Sequence, residues 1–229
     1  MPNTILLIGH NSTATNILEF ALNQRRIDAI QLHQDALLAE QLPEAPFDMV
    51  LFDVHDLHRQ HIDAITALRA MTTVPLLIMI PSGDSTAILQ AYAAGADECV
   101  VKPIDPLVLL AKVEAWLRRA WTIPVEVLDE INIGDIRLNP ARQQISVGDQ
   151  PPIKLTNLEL RLMHLLVMHP NQVLPTNTIV HRVWGYLTPG DHTLVKNVIY
   201  RIRRKIEPDP SNPRYILSVV GEGYRFQVS

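Results

Sequence analysis

Within the first 119 residues, four short apolar runs (5–8, 49–52, 76–80 and 99–101) alternate with stretches long enough for helices. This alternation restricts the fold more than any other feature of the chain. Runs that are apolar on both faces read as strands covered from both sides, as in a parallel sheet. Between them, apolar residues recur at helical spacing: Ile17, Leu18 and Ala21, then Ile62, Ile65 and Leu68, then Ile88, Leu89 and Tyr92. A last helix opens with Asp105 as its cap and Pro106 in its first turn. It carries the stripe Leu109, Leu110, Val113 and Leu117 and ends in Arg118 and Arg119, cations that suit the negative end of a helix dipole. With a weaker strand at 29–32, the expectation is an α/β doubly wound, five-stranded parallel sheet with five helices. Ligands of such sheets sit beyond the carboxyl ends of the strands. Attention therefore goes to Gly9, His10, Asp53 to His55, Pro81, Ser82, Lys102 and Pro103.

The second half has a different grammar. Strand patterns at 136–138, 143–147 and 153–155 are joined by turns at Asn139-Pro140 and Gly148-Asp149. Thr156 and Glu159 then form a capping box ahead of Leu158, Leu162, Leu165 and Leu166. A second helix is expected from about 176 to 184, with Ile179, Val180 and Val183 inward, and a third over about 192–206. A hairpin of 215–220 and 224–228, turning on Gly221-Glu222-Gly223, closes the chain. Three helices and such a hairpin make an α+β winged helix-turn-helix, whose last helix enters a major groove. The expected organisation is a domain over 1–119, a linker over 120–128 and a second domain over 129–229.

Charge follows the same division. Residues 1–122 hold 8 Lys/Arg against 14 Asp/Glu, and residues 123–229 hold 12 against 10, so the halves carry −6 and +2. Within the second half, residues 193–206 carry Lys196, Arg201, Arg203, Arg204 and Lys205 and no acid, a local electrostatic device in an acidic protein. The single cysteine, Cys99, excludes an internal disulfide. The lack of a membrane-length apolar run, and of a basic amino end like that of a signal peptide, leads to the expectation of a cytoplasmic protein without membrane partners.

The segment from Phe47 to Asp53, the run Ala94-Gly95-Ala96-Asp97-Glu98, and Lys102-Pro103 followed by Asp105-Pro106 resemble the receiver domain of bacterial response regulators over essentially all of residues 3–119. The resemblance puts Asp53 at the phospho-acceptor position and Lys102 at the position that contacts the phosphoryl group. It also exposes departures. Receivers carry two adjacent acids after the first strand, which hold Mg²⁺ together with the acceptor, where this chain has Gly9 and His10. Ile80 stands at the hydroxyl position and Cys99 at the switch aromatic. Mg²⁺ prefers several oxygen ligands, so binding is expected to be weak and no cofactor is expected.

A degenerate receiver is the favoured reading, with a conventional phospho-Asp53 switch as the alternative. A further alternative is metal or redox sensing, through His10, Asp53 and His55 or through Cys99. The plain readings of those residues are a polar loop and a small buried hydrophobe.

Residues 129–228 resemble the effector domain of OmpR/PhoB-type response regulators. The resemblance rests on Leu155-Thr156-Asn157-Leu158-Glu159, Arg182-Val183-Trp184-Gly185, Ile202-Arg203-Arg204-Lys205-Ile206, the stretch from Pro208 to Ile216, and Gly221 to Phe226. It implies a transcription factor that binds double-stranded DNA as a homodimer on tandem half-sites. The loop from Gly185 to Asp191 would be a contact for RNA polymerase, and the cognate histidine kinase is left open. A two-fold receiver interface would draw on Asp97, Glu98, Lys112 and Arg118.

On the third helix, Lys196, Asn197, Tyr200 and Arg201 form an arc suited to base edges, Asn197 to adenine and Arg201 to guanine. Thr193, Arg203, Arg204 and Tyr224 suit phosphates, and Trp184 is read as core. Val220 and Glu222 at the wing predict a weak minor-groove contact. An enzyme is not expected, because neither a Gly-rich phosphate loop nor a nucleophile–base pair is present. A pure adaptor would have no use for the basic helix.

Overall fold

The computed structural model describes residues 3–10, 13–38, 42–43, 45–81, 85–121, 130–184 and 192–228. The chain divides into two compact units, residues 1–122 and 123–229.

The first unit is a parallel sheet of β1 (Asn3–Gly9), β2 (Ile27–His33), β3 (Met49–Asp53), β4 (Leu76–Ile80) and β5 (Glu98–Val101), in the order β2-β1-β3-β4-β5. Between and after the strands come α1 (Thr13–Asn23), α2 (Gln34–Leu38), α3 (Arg59–Met71), α4 (Ser85–Ala94) and α5 (Pro106–Trp121). The central strands are the apolar runs of the sequence, and every residue of β4 is buried. Asp105 caps α5 as expected, accepting the Leu107 N–H at 2.7 Å, and Leu109, Leu110, Val113 and Leu117 face the core. α5 continues to Trp121, so two residues read as linker are helical, while most of that linker lies outside the described residues. Of the inward stripe expected of α1, Leu18 and Ala21 are half-buried and Ile17 faces outward, while Leu22 is the residue fully enclosed. In so short a helix, two apolar arcs compete, and only contact with the sheet selects one.

The second unit opens with an antiparallel sheet of β6 (Ile131–Ile133), β7 (Ile136–Asn139), β8 (Gln144–Val147) and β9 (Ile153–Lys154). Then follow α6 (Asn157–Val167), β10 (Val173–Pro175), α7 (Thr176–Trp184), α8 (His192–Ile206), β11 (Ile216–Val219) and β12 (Gly223–Phe226). The capping box of α6 is formed: Thr156 Oγ1 accepts the Glu159 N–H at 3.2 Å, and the Glu159 carboxylate accepts the Thr156 N–H at 2.8 Å.

Val195, Ile199, Ile202 and Ile206 bury one face of α8, and Trp184 is fully enclosed at the end of α7. Two strands were invisible in the pattern, β6 and β10. Each has three residues, too few for periodicity, and exists because β7 and β12 offer free edges. β12 lies between β10 and β11. A Cβ on Gly223 would come 2.0 Å from the Leu174 carbonyl oxygen, so this crossing requires glycine.

Candidate functional site

The first site lies at the carboxyl ends of β1, β3 and β5. Parallel alignment brings Gly9, the last residue of β1, beside Asp53, the last residue of β3, and Lys102 follows β5. Lys102 Nζ donates to Asp53 Oδ1 at 2.5 Å and to the Val54 carbonyl at 2.9 Å. The carboxylate that receivers use as acceptor is thus held in a contact ion pair.

At the two positions where the resemblance calls for acids, Gly9 and His10 supply no carboxylate. Gly9 has no side chain, and a Cβ built on it would lie 3.4 Å from that of Asp53. His10 instead meets other imidazoles, its ring centroid 5.1 Å from His55 and 5.7 Å from His33. His58 and His61 stack at 5.9 Å. Burial, and then the positive charge that His58 and His10 would carry, hold the His61 pKa below its ordinary value. Among the described residues no three His, Cys, Asp or Glu side chains form a metal-binding group.

Ile80 closes β4 as a buried alkyl group. Cys99 is pushed up to about 12, chiefly by burial, with the Tyr92 hydroxyl opposing and the Glu98 charge adding to the shift. Cys99 is half-buried, and the thiolate is the reactive form. Against the ordinary value of 9.0, the rise removes thiolate about a thousandfold at neutral pH. Iodoacetamide labelling followed by mass spectrometry is therefore expected to modify Cys99 much faster in urea than in the native protein. Equal rates in the two would contradict the raised pKa.

The charges expected at a two-fold interface lie on β5 and α5 and on the turn before β5. Asp97 is 2% exposed; its carboxylate takes Arg69 Nη2 at 2.7 Å and the Leu76 N–H at 3.0 Å, tying α3 to the sheet. Glu98 is 4% exposed and accepts from Lys112 Nζ and Trp116 Nε1 of α5. Arg118 lies on the exposed face of α5. Asp97 and Glu98, expected among the interface charges, are held by partners within the protomer.

The second site is α8. Lys196, Tyr200 and Arg204 are exposed along it, Thr193 and Asn197 half-buried. The Arg204 guanidinium carbon stands 6.0 Å from the Tyr200 ring centroid, at the edge of cation–π range. Asn197 Nδ2 is buried without a partner among the described residues.

Two expectations are corrected. Arg201, placed on the groove arc by helical spacing, is 8% exposed, with Nε 3.6 Å from Glu159 Oε1. Lys205 Nζ reaches the same carboxylate at 2.7 Å. Glu159 on α6 is buried, and an uncompensated charge there would be costly, so it draws cations of α8 inward. Arg203, expected at a phosphate, donates from Nε and Nη2 to the Ile216 carbonyl at 3.0 and 2.6 Å, and from Nη2 to Ser218 Oγ at 3.0 Å. Tyr224, on β12, is half-buried, and burial raises its hydroxyl pKa while Arg203 opposes the rise.

Val220 projects from the wing, 97% exposed. Glu207 was absent from the sequence reading, since only the tertiary fold brings its partners to it. The loop from Gly185 to Asp191 lies outside the described residues.

These two sites match known families. The response regulator receiver domain matches residues 5–114, and the C-terminal domain of transcriptional regulatory proteins matches residues 149–226. The chain is 33% identical over 226 residues to the DNA-binding response regulator MtrA of Mycolicibacterium smegmatis, covering 98% of this chain and 97% of that one. MtrA of Mycobacterium tuberculosis is 32% identical over the same length, with 98% and 97% covered. Among solved structures, a RitR point mutant superposes with a TM-score of 0.78 at 21% identity, over 99% of this chain and 100% of that one, a likeness of fold. No helix of the described residues is long and apolar enough to cross a membrane. Receiver sheet, winged helix and full-length relatives agree: the chain belongs to the OmpR/PhoB-type response regulators, DNA-binding proteins of two-component systems.

Proposed function

We propose that this chain is a transcriptional regulator that dimerises and binds its operator without phosphorylation of Asp53. The observation that carries this reading is the crevice beyond β1 and β3, where Gly9 and His10 replace the acids of the resemblance and Asp53 is left as the one acid of that set. Phosphoryl transfer to a carboxylate brings negative charge against negative charge, and a divalent cation is what offsets it. Without one, the acceptor is a poor nucleophile for a phosphodonor. Ile80 and Cys99, in place of hydroxyl and aromatic, remove the parts that would carry a phosphate signal to the surface.

The dimer surface that fits this reading is apolar. Leu89 on α4, Val101 on β5, and Leu107 and Val108 on α5 are all exposed, whereas most of the charges expected there are engaged inside the protomer. DNA is met by Lys196, Tyr200 and Arg204 on α8, with the loop from Gly185 to Asp191 as the contact for RNA polymerase. No enzymatic step is involved. The test is genomic footprinting of the wild type beside Asp53→Ala, with sedimentation of both at micromolar concentration. Both proteins are expected to be dimers and to protect the same sites with affinities within about twofold. A wild type that dimerises only with acetyl phosphate and Mg²⁺ would establish the conventional switch instead.

A further inference from the structure

The end of α8 and the start of the wing are joined by a set of contacts that DNA recognition as described does not use. Glu207, the residue after α8, is 8% exposed, and its carboxylate accepts three successive backbone N–H groups at the entry to β11. Oε1 takes Tyr215 and Ile216, each at 2.9 Å; Oε2 takes Arg214 at 2.7 Å and Tyr215 at 3.2 Å. One turn back, Arg203 holds the carbonyl of the same Ile216 and the hydroxyl of Ser218.

β11 is the edge strand of its sheet, bonded on one side to β12 alone, so its other side needs partners. The end of the recognition helix supplies them. Beyond this joint the wing extends to Val220, which is almost fully exposed. The direction of the tip is then set at the base of the hairpin.

We infer that Glu207 is a positioning residue for DNA binding: with Arg203 as its second arm, it fixes the angle between the wing and α8, and so decides whether the wing reaches the duplex when the helix is seated. Charged acceptors make the stronger hydrogen bonds, and three N–H groups gathered on one buried carboxylate hold the chain in a single pose. Glu207 itself touches no DNA. The inference rests on the reading that the wing contacts DNA, which the experiment also tests.

The full chain is titrated against the duplex it selects from a randomised pool, and protection is mapped by hydroxyl-radical footprinting. Glu207→Gln keeps the size of the side chain and removes its charge. It is expected to weaken binding about tenfold, with loss of protection on the wing side and retention under α8. Val220→Asp, which repels the backbone from the tip, is expected to do the same. If Glu207 acts through the wing, the double variant binds within about twofold of either single variant. Glu207→Asp, with the charge retained on a shorter stem, should fall between wild type and Glu207→Gln, which guards against a variant that fails to fold.

Multiplying losses in the double variant, or equal loss of both sides of the footprint, would overturn the positioning role and leave the wing contact standing. A Val220→Asp protein that binds like wild type would overturn the wing contact, and the inference with it.

Discussion

Gly9→Asp combined with His10→Asp is expected to make Asp53 accept a phosphoryl group from acetyl phosphate and Mg²⁺ at least ~100-fold faster than the parent chain does. The space exists. The Cβ of residue 9 would stand in ordinary contact with that of Asp53, so two new carboxylates join the acceptor at the ends of β1 and β3. Three carboxylates are a reasonable start for a cation that asks for near-octahedral oxygen coordination. Such a cation contributes several kcal/mol of charge stabilisation in the transition state. Lys102 is already within hydrogen-bond reach of Asp53. Intact-mass spectrometry counts the modified fraction, and adding Asp53→Asn should remove it. Equal rates in the parent and the double variant would mean that the missing acids are not what silences the crevice.

The second large effect is structural. Asp97→Ala is expected to destabilise the first unit by about 3–5 kcal/mol, the cost of leaving a buried partner uncompensated. Arg69 would lose its carboxylate while its side chain stays mostly enclosed, and the Leu76 N–H would lose its acceptor. Arg69 keeps the carbonyls of Gly95, Thr72 and Val74, which pulls the figure toward the lower end. Urea unfolding monitored for the receiver gives the number. Replacing the pair together, Arg69→Met with Asp97→Leu, should recover part of the loss, because an apolar pair needs no compensation. The folded fraction of Asp97→Ala should sediment like the wild type. A variant of native stability that fails to dimerise would return Asp97 to the interface.

Much of the fold could be read directly from residue order. The strands β1, β3 and β4 contain apolar runs buried on both faces, the pattern of a sheet covered from both sides. Asp105, Thr156 and Glu159 marked the starts of α5 and α6, because caps act through bonds two or three residues away and are legible in a short window. The inward stripe of α8 was equally plain, as a 15-residue helix samples its face several times. The outward stripe was read correctly at Lys196, Tyr200 and Arg204 and wrongly at Arg201. Helical spacing puts Arg201 on the arc, but a buried carboxylate on another helix pulls it off.

Local order alone thus determined most of the strands and helices, where α5 and α6 begin, that Gly9 and His10 stand in place of an acidic pair, and that a cationic helix is on offer. Those are matters of short-range sterics, hydrogen bonding and composition. The three-dimensional fold settled which charges face the outside. Glu159 gathers Arg201 and Lys205, Glu207 gathers the start of β11, and Asp97 and Glu98 gather Arg69, Lys112 and Trp116 across separations of many residues. A charge in a low-dielectric interior takes a partner wherever packing brings one, and a linear pattern carries no record of that distance.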